Sequence, residues 1–62
     1  MRYAEARKML LLVGFKYVRQ GRGSHAIFEK NGRRIVISVG VELSHAMTEK
    51  VRSAVKFGRA EN

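Results

Sequence analysis

The chain contains no cysteine, so it has neither a disulfide staple nor a thiolate cage for a metal. A domain of 62 residues buries only about 60% of the surface its unfolded chain exposes. Stability must therefore come from a thin apolar core and local hydrogen bonds, in a setting where disulfides are not needed. Long apolar runs are also missing. The longest, Met9 to Val13, stops at Gly14 and is far short of the roughly 18 residues of a membrane span. A soluble protein with no membrane association is expected. The start of the chain has one early basic residue, Arg2, and no extended apolar segment before a cleavage site. It reads as a true start rather than a secretory leader. Acidic residues are scarce as well: five, against thirteen Lys and Arg, for a formal charge of +8. Solubility alone needs a smaller imbalance, so the charge points to an anionic macromolecule as partner.

Tyr3, Ala6, Leu10 and Val13 recur at spacings of three and four, with Arg2, Glu5, Arg7 and Lys8 largely on other faces. The spacing predicts an amphipathic helix that ends at Gly14, where a residue without a β-carbon enters the left-handed region easily. Phe15 to Gln20 alternates between apolar and polar side chains and predicts a strand, followed by a flexible loop at Gly21-Arg22-Gly23. Ser24 to Lys30 and Arg33 to Val39 flank Asn31-Gly32, a dipeptide suited to a type I′ turn, and so predict a tight hairpin. With those two residues as the loop, Phe28 faces Ile35, Ala26 faces Ile37 and Ser24 faces Val39 on one side of the sheet. His25 with Ser38, Ile27 with Val36, and Glu29 with Arg34 then occupy the other side.

Met47, Val51, Ala54 and Val55 predict a second amphipathic helix, capped by Ser44 or Thr48 and stopped at Gly58. The expected organisation is one domain over residues 1–58 with a frayed tail over 59–62. Its class is α+β, in the order helix, three antiparallel strands, helix. Both helices should cover the Phe28 face of the sheet and leave His25, Ile27, Val36 and Ser38 uncovered.

Chemistry concentrates in Gly21-Arg22-Gly23-Ser24-His25, which joins backbone freedom, a cation, a hydroxyl and an imidazole. RNA cleavage without a metal needs a base for the ribose 2′-hydroxyl and cations for the charge that develops on phosphate. Histidine can exchange a proton near neutrality. His25 is thus a candidate catalytic group, and equally a surface histidine that only touches nucleic acid. Candidate RNA contacts are Arg19, Arg22, Gly23, Ser24, Lys30, Arg33 and Arg34. Ser24 has no visible acid–base triad, which favours a hydrogen-bonding role. His45, near the start of the second helix, reads as a solvated side chain or, less simply, a second catalytic group. Two distant histidines and five scattered acids show no metal-ligand spacing, so neither metal nor cofactor is expected.

Gly14-Phe15, Val18-Arg19-Gln20, Gly23-Ser24-His25 with Phe28 three residues on, and Gly32-Arg33-Arg34-Ile35-Val36-Ile37 together resemble the HicA-type toxins. The resemblance runs from the first helix through the last. It implies a double-stranded-RNA-binding-like fold with a three-stranded antiparallel sheet and two helices on one face. It also implies a cytoplasmic mRNA interferase activity, with His25 in the position of the family's catalytic histidine, and a HicB-like antitoxin as partner. The chain departs from the family at Ser38-Val39-Gly40-Val41-Glu42-Leu43, where a proline and a further histidine are common. Met47-Thr48 likewise stands where a glycine-threonine pair is common.

Three readings follow. One is a ribonuclease toxin whose antitoxin covers the open face through Tyr17, Ile27 and Val36. Another is a non-catalytic RNA-binding module of the same fold. The third is a small interaction subunit whose charge is incidental. The apolar open face suits a homodimer as well as an antitoxin.

Overall fold

The computed structural model describes residues 1–40 and 42–61. Val41 and Asn62, which fall in the atypical segment and in the expected tail, lie outside the described residues. The elements are α1 (Tyr3–Leu12), β1 (Lys16–Gln20), β2 (His25–Lys30), β3 (Arg33–Ser38) and α2 (His45–Ala60), in the order expected. The strands form one antiparallel sheet in the order β1-β2-β3.

Ala6 and Leu10, four residues apart, are the buried stripe of α1. Gly14, at φ +100°, ends the helix in the left-handed region. The amide of Phe15 donates to the Leu10 carbonyl at 3.0 Å and that of Gly14 to Leu11 at 3.1 Å. This pair of bonds is a Schellman cap, and it folds Phe15 back over Leu10, both fully buried. In α2 the Ser44 hydroxyl accepts from the Met47 amide at 3.1 Å, so Ser44 is the cap and Thr48 lies inside the helix.

The β2–β3 register pairs Phe28 with Ile35, Ala26 with Ile37, and His25 with Ser38, as expected. Asn31 (φ +48°) and Gly32 (φ +85°) both take positive φ, as a type I′ turn requires. Phe28 and Ile37 are fully buried beside Leu10, Phe15 and Val51, which places both helices on that face. Burying five such side chains contributes on the order of 10 kcal/mol against chain entropy. The β1–β2 pairing is regular except for one bulge: Tyr17 faces Phe28, while Val18 and Arg19 together oppose Ile27.

The segment after β3 is tied to the start of the chain. Arg2 and Glu42 form an isolated antiparallel bridge, and the Leu43 amide donates to the Met1 carbonyl at 2.8 Å. The Met1 ammonium donates to Glu42 Oε2 at 2.6 Å. That hydrogen bond, then the ammonium's charge, then Arg2, hold the Glu42 carboxyl below its ordinary value of 4.5.

The expected stop at Gly58 is not found, because α2 continues to Ala60 with Glu61 as its C-cap. Arg59 and Ala60 therefore belong to the helix rather than to a tail. Gly58 is there for packing. A β-carbon at this position would stand 2.4 Å from Val13 Cγ2 and 3.0 Å from the Val13 carbonyl oxygen, so the ends of α1 and α2 meet at a point that only glycine fits. Lys30 closes the same junction, donating from Nζ to the Val13 and Gly58 carbonyls at 2.6 and 2.7 Å. Cations at helix C-termini are favourable in any case, and this one serves two helices.

Two outcomes are expected. Gly58→Ala gains about 1 kcal/mol of helix propensity but must displace Val13, which typically costs about 1–3 kcal/mol. Urea denaturation should show net destabilisation that adding Val13→Ala does not relieve, because the Val13 β-carbon and carbonyl oxygen, 2.8 and 3.0 Å from the added carbon, both remain. An unchanged midpoint in the single variant would refute the close packing. For Glu42, the depressed folded value means that its ion pair contributes fully above the ordinary carboxylate value and is lost as pH falls through the folded one. Glu42→Gln should therefore lower the melting temperature at neutral pH, slightly because the pair is exposed and salt-screened. The difference should vanish in acid.

Candidate active site

The connection between β1 and β2 is short and its backbone is held by hydrogen bonds on both sides. The Gly21 amide donates to the His25 carbonyl at 2.7 Å, continuing the strand pairing by one residue. Gln20 Nε2 donates to the Gly23 carbonyl at 3.3 Å. On the other side the Val39 amide donates to the Ser24 carbonyl at 2.7 Å. The connection is thus held by β1 and by the end of β3. Arg22, Gly23, Ser24 and His25 are all exposed on it.

The His25 ring is held by the loop it terminates. Nδ1 lies 2.8 Å from the Arg22 carbonyl oxygen. A carbonyl can only accept, so this bond requires the proton on Nδ1 and leaves the lone pair of the neutral ring on Nε2. The sequence placed arginine and histidine three residues apart. It carried no signal that the backbone of the first would set the tautomer of the second. Gln20, which braces Gly23, was equally hidden in a strand pattern.

Around His25 the open face carries Ser38 directly across the strand pair, Ile27 and Val36 one pair further, and Arg19 opposite Ile27 on β1. Arg19, Arg22, Gly23 and Ser24 thus gather at the His25 end of the sheet. The other expected RNA contacts do not join them. Lys30, Arg33 and Arg34 lie at the hairpin turn, about 13–17 Å away at the rise of a β-strand. Lys30 sits on the helix side, part-buried, donating to the two helix ends. Arg33, also on that side, places its guanidinium 5.2 Å from the centre of the Phe57 ring and donates to Ser53 Oγ at 3.2 Å. Arg34 pairs with Glu29 at 3.4 Å on the open face. His45 is exposed as the first residue of α2.

Two of the residues expected on an uncovered apolar face are placed differently. Ile27 retains 7% of its exposure, although it lies opposite the helices. Gly21 lies over it, so close that a β-carbon at Gly21 would stand 3.2 Å from Ile27 Cδ1. Tyr17 faces Phe28, because the bulge at Val18 shifts the alternation, and its ring packs edge-on to Phe28 at 5.7 Å while staying 46% exposed at the edge of the sheet. Val36 is exposed as expected, at 41%, and Val18 is comparably exposed at 42%.

Among the described residues no three of histidine, cysteine, aspartate and glutamate group closely enough to hold a metal ion. The arrangement offers an exposed, oriented imidazole at the end of a loop that also carries Arg22 and Gly23, with Arg19 on the neighbouring strand. Such a group can take a proton at Nε2 from an oxygen placed beside a phosphate.

Residues 3–47, which span α1, the whole sheet and the first turn of α2, match the family model described as HicA toxin of bacterial toxin-antitoxin. No curated protein and no solved structure gives a match.

The ring geometry makes its own prediction. Nitrogen-15 NMR of neutral His25 should show the proton on Nδ1. A ring protonated chiefly on Nε2 would contradict the bond to Arg22.

Proposed function

Since this chain belongs to the HicA toxin family of bacterial toxin–antitoxin systems, we propose that it is a cytoplasmic endoribonuclease that cleaves messenger RNA without a metal, with His25 as general acid/base. The observation that carries this reading is the exposed His25 imidazole, bonded through Nδ1 to the Arg22 carbonyl and so presenting the Nε2 lone pair to solvent.

In the proposed reaction Nε2 takes the proton of a ribose 2′-hydroxyl, and the oxygen attacks the adjacent phosphorus in line with the 5′-oxygen. The bond from phosphorus to that 5′-oxygen breaks. The products are a 2′,3′-cyclic phosphate and a 5′-hydroxyl, whose proton comes from solvent. Arg22 and Arg19 stabilise charge on the phosphate, while Gly23 and Ser24 let the RNA backbone approach closely. Arg33, Arg34 and Lys30 stand too far along the hairpin to touch the same phosphate. A contact from Arg33 or Arg34 would reach RNA several nucleotides away.

A HicB-like antitoxin is the expected protein partner. Val36 and Val18 on and beside the open face, rather than the buried Ile27, provide the apolar surface for it, and Tyr17 is exposed on the other face. The same surface suits a homodimer. An acidic antitoxin would associate quickly with a chain of charge +8, at a rate that falls with salt. No described helix is long and apolar enough to cross a membrane.

The strong positive charge by itself supports a second reading, a module that binds RNA without cutting it. Incubating the protein and His25→Ala with labelled RNA in excess chelator separates the two. General acid–base groups typically contribute about 100-fold or more to rate, so the variant should lose cleavage by at least that factor while remaining folded. Intact RNA with both proteins and binding retained would establish the binding module instead.

A further inference from the structure

The free edge of β3 borders a groove whose lining begins at the hairpin turn. β3 is the last strand of the sheet, and among the described residues no strand pairs with its outer edge. Its alternation is fixed at both ends: the Val39 amide points inward to the Ser24 carbonyl, and the β2–β3 register continues unbroken to the Lys30–Arg33 pair. Odd-numbered residues of β3 thus bond to β2. The amides and carbonyls of Arg34, Val36 and Ser38 face outward.

The groove, of about 580 Å³, runs along this edge, between β3 and α2. Ile35 and Val36 point to opposite faces of the sheet, yet both line it, so the groove follows the strand's edge rather than either face. On the far side α2 contributes Lys50, Ser53 and Ala54. Arg33, Arg34 and Lys50 outnumber the one acid in the lining, Glu49, which lies 3.6 Å from Arg52.

We propose that this groove docks an extended acidic segment of a partner protein, which adds as a fourth strand to β3. A strand supplies donors and acceptors alternately, matching the outward amides and carbonyls of Arg34, Val36 and Ser38. Phosphates only accept, so RNA would have to serve those carbonyls with its hydroxyls or bases, whereas a strand brings donors and acceptors at the spacing of the edge itself. Carboxylates on alternate side chains share one face and reach Lys50 on the helix side, which turns the intervening apolar side chains toward exposed Val36 on the open face. The groove lies toward the hairpin turn and is lined by none of the residues given a role in cleavage, so it stands or falls independently of the ribonuclease reading, although the added strand would end at Ser38, the partner of His25.

The test is a titration of the nitrogen-15-labelled protein with a short blocked peptide of alternating valine and glutamate, its valine–lysine counterpart, and a short single-stranded oligonucleotide. The acidic peptide should shift the amides of Arg34, Val36 and Ser38, slow their hydrogen exchange, and bind about tenfold or more tightly than the lysine peptide. Val36→Pro removes an outward amide that an edge strand can spare, and should abolish the binding. Lys50→Glu leaves the strand untouched and should weaken it by about tenfold. Absence of peptide binding, or shifts confined to the His25 loop, would overturn the proposal. So would the oligonucleotide moving these amides when the acidic peptide does not, which would make the groove a nucleic-acid surface.

Discussion

The register of the β2–β3 hairpin is the constraint on which the molecule depends. Side chains alternate across a sheet with a period of two, so a slip of one residue would turn Phe28, Ile35 and Ile37 to solvent and His25 toward the helices. Two devices fix the register. Asn31 and Gly32 accept the positive φ of a two-residue turn, and the apolar set on one face has α1 and α2 to bury it. The same decision exposes His25, aims the outer amides of β3 into the groove, and leaves Val36 on the open face. Core and candidate sites are consequences of one pairing.

A second junction, between the helix ends, steadies the sheet from behind. Val13 and Gly58 approach so closely that their carbonyls share the Lys30 ammonium, which reaches them from the last residue of β2. A lysine with two carbonyl partners is part of the fold. Its charge still counts toward the +8 of the chain, but its donors are aimed inward, which separates it from the arginines around His25. Net charge is thus a poor guide to which cations meet a ligand.

Much of the fold was legible because periodicity reports burial. Ala6 and Leu10 on α1, Val51, Ala54 and Val55 on α2, and the alternating hairpin residues all stand where their spacing put them. The failures share a cause, namely contacts between residues distant in the chain. Gly58 looked like a helix stop because glycine often is one, and only the approach of Val13 shows why it lies within α2. Tyr17 and Ile27 were misplaced by a bulge and a covering glycine, neither of which leaves a pattern in the sequence. At the candidate site the residue types were visible in five consecutive positions. The hydrogen bond that orients His25 is a property of the loop's path and was not.

The proposed reaction turns on one atom, Nε2 of His25. If that nitrogen activates a 2′-hydroxyl, the nucleophile comes from the RNA itself and water does not attack the phosphorus in the cleavage step. The ends of the fragments record which occurred. The most direct measurement is mass spectrometry of the products formed when the protein cleaves RNA in the presence of chelator. A 2′,3′-cyclic phosphate on one fragment and a 5′-hydroxyl on the other is the result this account predicts. Fragments bearing a 5′-phosphate and a free 3′-hydroxyl would mean attack by water, and would contradict it.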